Sequence, residues 1–366
     1  FERAYRQLDY WSWTDDAEGL RFCGAHSHTW DTAFTIRAAL ETPDSLRSDR
    51  LTHCLTRAYA FLRDSQLLED FSDEDRSRWT RDRNRGGWCF SDERHRWPVS
   101  DCTAEALISA LKLEPLIPAE ERISKEHLVA AAEFILSRQN RDGGFGSFER
   151  RRGPKWLERL NPSEMFGNSM VEGSYLECTA SCLNGLAHFQ RRFPDVLRNE
   201  IAPAIQGAIH LLLREQRADG SWEGSWGVNF TYSIFFCVEG LLAANLPADH
   251  PAIRRASAWL LARQKSDGGW GEHWTSCGTR EYREHPQSQV IMSAWATLTL
   301  LKMSDGAARA AIQRAVRWLL SRQQPDGDFP EESPAGVFFR TGLLHYALYK
   351  NYFSVWALSR YLGAAS

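Results

Sequence analysis

The chain has 366 residues and carries 44 Lys and Arg against 47 Asp and Glu, a formal net charge of −3, which excludes the basic excess of a dedicated nucleic-acid binder. Its 43% hydrophobic and 25% charged content is that of a globular protein long enough for a sizeable core, and no uninterrupted apolar run of about 18 residues marks a membrane-spanning helix. Eight cysteines lie scattered without a CxxC pair, so neither a disulfide scaffold nor a zinc ribbon is expected, and a reducing, cytoplasmic setting fits best.

No charged-then-apolar leader opens the chain, and a start at Phe1 rather than Met implies residues upstream of it. The first segment of note is HTWDTAF, holding Trp30 in a sequence unusually rich in aromatics, with 15 Trp, 19 Phe and 10 Tyr. Next comes a degenerate repeat ending in Arg85, Gly86, Gly87 and Trp88, with Asp82 at the position where the later copies have Gln. It runs into GGWCFSDERHRWPVSDCTAEAL (86–107), where Pro98 and Ser100 read as a helix entry with Asp101 in or beside the first turn. Glu105 then lies one turn along on the same face. By position alone, Asp101 reads as a helix cap or dipole partner.

Four further copies of the repeat align without gaps: 128–145, 205–222, 253–270 and 312–329. Each has a Gln (Gln139, Gln216, Gln264, Gln323), then Asp three later, Gly four later and an aromatic six later (Phe145, Trp222, Trp270, Phe329). The first part of each copy is helical. Ile312, Ala315, Val316, Leu319 and Leu320 form one apolar stripe, and Ile253, Ala256, Leu260 and Leu261 another. The Asp-Gly pair stops the helix, since Gly readily takes the left-handed cap conformation. A second apolar stretch follows most copies, as in VIMSAWATLTLLKM (290–303). The unit is a helix pair, strand-like alternation is weak, and no polar capping repeat is evident, so an all-α toroid of helix pairs is expected rather than an open solenoid. The Gln and aromatic read as structural glue: the amide can bond free backbone groups of a neighbouring turn and stack on an indole.

Between the copies lie other features. NPSEMFGNSMVEGSYLECTASCL (161–183) holds Cys178 and Cys182, at a spacing typical of small buried hydrophobes. With Asp101 and Cys102, Cys178 could supply three metal ligands, and spacing alone does not decide this. Aromatics gather near Gly-rich loops: Phe90, Phe148, Trp226 and Phe230 in GSWGVNFTY (224–232), and Phe338 in GVFF. Most such rings pack a core, but a cavity lined by ring faces would stabilise a carbocation by about 2 kcal/mol or more per ring when dry. YSIFFCVEGLLAANL (232–246) contains Glu239 and is too short to cross a bilayer. It reads as a buried helix.

These residues resemble the triterpene cyclases, the squalene-hopene and oxidosqualene cyclase family. The Q-xx-D-G-x-W/F repeats are similar to that family's QW motifs. VSDCTAE (99–105) resembles the catalytic acid motif of the oxidosqualene branch; the squalene-hopene branch has D-x-D-D where this chain has Val99, Ser100, Asp101 and Cys102. TWDTAF, LNPSEMFGN, YLECTA, GSWGVNFTY and the terminal GVFF…NYFSVWALSRY resemble that branch in the same order, from about Gly24 to Tyr361.

The resemblance implies an α/α barrel over residues 1–366 that corresponds to the acid-bearing C-terminal half of a two-barrel enzyme. It implies Asp101 as the general acid that protonates an epoxide, Cys102 and Cys178 as its hydrogen-bond partners, and Glu105 in the relay that restores the proton. Trp30, Phe90, Trp226, Phe338 and Tyr346 match aromatic positions of the cavity. Phe148 stands where a Tyr is usual and Asn229 where a Cys is usual, so the product is left open. The implied substrate is 2,3-oxidosqualene or another epoxidised polyene, with no cofactor and no metal. The carboxyl must stay protonated at neutral pH, which requires a dry pocket without an adjacent cation. A second chain carrying the N-terminal barrel is the expected partner, an excised domain being the competing explanation. Peripheral membrane contact is expected through the missing half.

Two other classes remain open at this point. A protein prenyltransferase β subunit is also an isoprenoid-binding α/α toroid, but it needs a zinc site of Asp, Cys and His, and no His falls in a convincing third place. A non-catalytic half-barrel that binds lipids or serves as a scaffold is the other.

Overall fold

In the computed structural model, residues 2, 5, 8, 12–15, 19–22, 26–163, 166–303 and 306–365 are described. Among them are thirteen helices in chain order: α1 (His28–Leu40), α2 (Asp49–Asp64), α3 (Asp73–Trp79), α4 (Ser100–Leu113), α5 (Lys125–Ser137), α6 (Leu176–Arg192), α7 (Arg198–Glu215), α8 (Phe230–Ala243), α9 (Pro251–Leu261), α10 (Thr275–Thr279), α11 (Val290–Leu300), α12 (Gly306–Arg322) and α13 (Tyr349–Ala365). Six of them form a closed inner ring. In order, α1, α4, α6, α8, α11 and α13 each pack on the next, and α13 returns to α1. Helices α2, α5, α7, α9 and α12 lie outside. This is an α/α toroid.

Amphipathicity sorts the helices between the rings. Inner helices are buried nearly all round: every residue of α11 is buried, as are twelve of the fourteen in α4. Outer helices bury one stripe. In α12 that stripe is Ala308, Ala311, Ile312, Ala315, Val316 and Leu319. Leu320, which the apolar pattern places in the stripe, is 53% exposed instead. Close approach within the inner ring needs small residues. A Cβ at Gly240 of α8 would lie 2.5 Å from the Ala180 carbonyl of α6, and one at Gly185 would lie 3.0 Å from the Ala104 side chain of α4. The ring closes through Trp30, whose indole N–H donates to the Tyr349 hydroxyl at 2.8 Å, and through Phe34, which packs on Tyr352, Phe353 and Trp356.

The repeats lace the outer ring together. The Gln139 amide donates to Gly143 O and to Ala204 O of the next outer helix, both at 2.9 Å. Gln216 does the same to Gly220 O and Ala252 O, and Gln264 to Gly268 O and Ala311 O. Gly143 sits at φ +90°, where a side chain would strain the turn and meet the Gly207 backbone. The aromatic closes the unit from inside: Trp222 and Trp270 donate their indole N–H to Leu212 O and Leu260 O.

The degenerate repeat corrects one expectation. Its amide comes not from the Asp82 position but from Gln66, which donates to Gly86 O and His127 O, both at 2.9 Å. Residues 67–83 are an excursion between the Gln and its Gly. At the other end, Gln323 donates only to Gly327 O among the described residues, and nothing lies within 4 Å of a Cβ built on Gly327. Net values of about 1 kcal/mol per bond then predict unequal costs. Gln66→Ala should lose about 1–3 kcal/mol of unfolding free energy, and Gln323→Ala less than about 0.5. Denaturant titration of both variants checks the contrast; equal losses would remove the lacing role.

Beyond the helices, the described residues form three two-stranded antiparallel sheets. In chain order they are β1 (Ser12–Asp15) with β2 (Gly19–Phe22), β3 (Trp270–Glu272) with β4 (Glu284–Gln289), and β5 (Gly336–Phe338) with β6 (Gly342–Leu344). The weak alternation of the sequence does not reveal them. The last is tied to the Trp226 loop by Val337 N donating to Trp226 O and Val228 N to Ala335 O. No helix of the described residues is long and apolar enough to cross a membrane.

Candidate active site

Asp101 occupies the second position of α4, behind Val99 at the cap. Its carboxyl accepts a first-turn backbone N–H, as a residue at a helix start can, and also reaches across to the next inner helix. Oδ1 accepts the Cys102 backbone N–H at 2.8 Å, and Oδ2 accepts the Cys178 thiol of α6 at 3.3 Å. The Cys102 thiol is a further hydrogen-bonding contact. Burial pushes the Asp101 pKa up, the residue as a whole being 7% exposed; the thiol and amide donors offset only part of this. Burial and the neighbouring carboxyl also push both thiols well above their ordinary range. They therefore stay protonated and act as donors. Cys182, one turn from Cys178, is fully buried. Among the described residues no three His, Cys, Asp or Glu groups are placed to hold a metal ion.

One turn deeper, Glu105 accepts the Ser181 hydroxyl at 2.8 Å and pairs with Arg37 of α1. Burial raises the Glu105 pKa, and Arg37 opposes it. Arg37 continues to Glu239 of α8 at 3.5 Å. Glu239 pairs with Arg360 of α13 at 2.8 Å and Lys302 at 3.5 Å, and Arg360 reaches Glu41 at 2.8 Å. These cations hold the Glu239 carboxyl far below its usual range despite burial. A ladder of alternating charge thus runs along the ring interior below Asp101. The cations of that ladder pair with Glu105, Glu239 and Glu41.

The aromatic expectations divide. Phe90, Phe148, Trp226, Phe338 and Tyr346 are half-buried. Trp226 lies 5.7 Å from Phe338 by ring centroids, and Phe338 is 5.5 Å from Phe166. Phe90 lies 6.1 Å from Tyr346 and 6.4 Å from Trp30. Burial first, and then proximity to Cys102 and Asp101, push the Tyr346 hydroxyl above its ordinary range. Phe148 stacks near Trp97 at 5.0 Å, and Arg81 covers Trp97. Trp30 is 4% exposed and sits behind Phe90, in contact with Phe34 and Phe236. Phe230 stands apart: it opens α8, is 1% exposed, and its ring faces Trp259 of α9 and Arg217. It belongs to the wall between the rings, where the neighbouring position of Trp226 in sequence misplaces it.

Several buried polar groups escaped the motif reading. Asp31, between the Ser27 and Tyr352 hydroxyls, is pushed up to about 6 by burial. Glu177 accepts the backbone N–H groups of Ser225 and Trp226, both at 2.6 Å, and so holds the Trp226 loop. Arg37 and Glu239 are charges within otherwise apolar helices, and that anomaly is a signal a sequence can offer.

Glu177 carries a pH prediction. Burial pushes its pKa up from 4.5 to about 7. The folded state thus binds this proton more tightly than the unfolded state. Its contribution is fully present below about pH 4.5 and is lost as pH rises through 7. Glu177→Gln keeps the oxygen that accepts both amides and removes the titration. Relative to wild type, the variant should gain on the order of 1–3 kcal/mol between pH 5 and pH 8. Urea midpoints at the two pH values measure this, and parallel wild-type and variant profiles would contradict it.

The squalene-hopene cyclase C-terminal domain family matches residues 26–363. Cycloartenol synthase of Dictyostelium discoideum is 44% identical over 365 residues, covering 99% of this chain and 50% of its own. Lanosterol synthase of Homo sapiens is 40% identical over 350 residues, covering 94% and 47%. The chain spans about half the length of the curated relatives it matches. Among solved structures, the type II terpene cyclase MstE from Scytonema aligns with a TM-score of 0.60 at 18% identity, over 95% of this chain and 90% of that one. The ent-copalyl diphosphate synthase from Streptomyces platensis aligns at 0.59 and 20%, over 91% and 50%. At those identities the structures share the fold.

Proposed function

This chain belongs to the squalene-hopene cyclase family, matching its C-terminal domain, and on that premise we propose that it cyclises 2,3-oxidosqualene, or a related epoxy-polyene, to a polycyclic triterpenoid. The observation that supports this most is Asp101: a buried carboxyl whose pKa burial pushes up, with a donor on each oxygen. Its proton passes to the oxirane oxygen. The carbon–oxygen bond opens, the nearest double bond attacks the cationic carbon, and each ring closure moves the charge one alkene onward. A proton leaves at the end, so the product is an isomer of the substrate. The negative charge left on Asp101 is stabilised by the Cys102 amide and the two thiols. Glu105, held by Arg37 and Ser181, belongs to the relay through which the carboxyl regains a proton from outside the ring. Phe90, Trp226, Phe338 and Tyr346 offer ring faces to the passing charge. Trp30 supports Phe90 from behind. Phe148 closes the side next to Ser147 without the hydroxyl of a Tyr.

The reaction is proton-initiated and carried by the substrate's own alkenes, so the proposal includes no cofactor. The half-buried faces of these rings imply a further wall. We assign it to an N-terminal barrel, supplied by a second chain or by more of the same polypeptide, with peripheral membrane contact through that part. Residues 1–366 are proposed to act as one barrel domain. The deciding experiment incubates 2,3-oxidosqualene with the enzyme containing this chain and analyses the lipid extract by gas chromatography and mass spectrometry. A cyclic product of unchanged mass supports the proposal. Unconverted substrate with every combination of candidate partner chains favours the lipid-binding scaffold, and stoichiometric zinc with prenyl transfer favours the prenyltransferase reading.

A further inference from the structure

A line of hydrogen bonds connects the Trp226 ring to the acid. The Trp226 indole N–H donates to Ser147 Oγ at 3.0 Å. Ser147 Oγ lies 3.2 Å from Cys178 Sγ, and the Cys178 thiol donates to Asp101 Oδ2 at 3.3 Å. Directions follow by elimination. The single thiol proton goes to Asp101, so Sγ must accept from Ser147. The hydroxyl has one proton, spent on Sγ, and its lone pair receives the indole. All three donors then point one way, from the ring to the carboxyl. Ser147 is fully buried, and its backbone is clamped by Ser100 N donating to Ser147 O at 2.8 Å and by Ser147 N donating to Glu172. The main chain that carries the hydroxyl is thus held in place.

We propose that Ser147 is a positioning residue for the acid, orienting the Cys178 S–H onto Asp101 Oδ2 and coupling that bond to the Trp226 indole. The inference rests on the cyclase reading of Asp101. Donors in a chain polarise one another, so the last bond is stronger than an isolated thiol contact. The gain is largest when Asp101 carries negative charge, which is the moment the substrate takes the proton. Loss of the hydroxyl should therefore slow turnover rather than weaken substrate binding. The bulk of the wall changes little.

The test uses Ser147→Ala, Ser147→Thr and Trp226→Phe. On the chain without substrate, the Raman S–H stretch of Cys178, identified by its disappearance in Cys178→Ser, reports the thiol bond. Ser147→Ala should move that band toward the free-thiol position, Ser147→Thr should leave it in place, and Trp226→Phe should move it partway. In the complete enzyme, Ser147→Ala should lower kcat about tenfold with KM within about twofold, and Ser147→Thr should recover most of it. An unmoved band in Ser147→Ala, or a Thr variant as slow as Ala, would overturn the inference. A band that moves as expected in a protein that converts no epoxide would instead sink the cyclase reading and leave the relay standing.

Discussion

Replacing Asp101 with Asn is expected to reduce cyclisation by about 10⁴-fold or more while leaving the fold intact. The amide has the shape of the acid and retains an oxygen for the Cys102 amide and the Cys178 thiol. What it lacks is a proton acidic enough to open an oxirane. General acids typically contribute 10²–10⁴-fold, and here no later step can begin without the transfer, so the upper end applies. Product formation from 2,3-oxidosqualene, quantified by mass spectrometry, gives the rate. Thermal unfolding of the same preparation shows whether the fold survived. An Asn variant within tenfold of wild type would remove Asp101 from the chemistry.

The second large effect is on stability. Arg37→Met should cost about 3–5 kcal/mol at neutral pH. Its guanidinium pairs with Glu105 and Glu239 and stacks on Trp356 at 4.4 Å. Met keeps much of the volume but leaves Glu105 buried with only Ser181 as a partner. Glu239 still has Arg360 and Lys302. The loss should thus centre on Glu105 and shrink toward acid pH, where that carboxyl takes a proton and ceases to be an unpaired buried charge. Denaturant titrations at pH 5 and pH 8 test both the size and its trend. A cost under about 1 kcal/mol at pH 8, or one that grows toward pH 5, would contradict the ladder as described.

How far the sequence carries toward this picture depends on the range of each interaction. The helix pairs were legible because the apolar period and the Asp-Gly stop are local. The grouping of Asp101, Cys102 and Glu105 was legible because the three lie within one helix. Gln66 was hidden by the excursion of residues 67–83, which breaks the spacing while preserving the bonds. Leu320 was misassigned because the stripe it continues has no neighbour there among the described residues to bury it. Phe230 was placed with Trp226 by adjacency, although one belongs to a loop and the other to the first turn of α8. The contacts that set the electrostatics join residues far apart in sequence: Arg37 with Glu105 across 68 positions, Trp226 with Ser147 across 79, and Glu239 with Arg360 across 121. No local pattern encodes such pairs; only closure of the ring brings them together.

Infrared spectroscopy of protein labelled with carbon-13 at the aspartate side-chain carboxyls measures the protonation of Asp101 itself. At pH 8, Asp31, pushed up to about 6, is ionised. A labelled protonated-carboxyl C=O band should persist in wild type at that pH and vanish in Asp101→Asn. A spectrum showing only carboxylate at pH 8, identical apart from one lost carboxylate in the Asn variant, would mean that the group is an ordinary ionised aspartate and cannot begin the reaction.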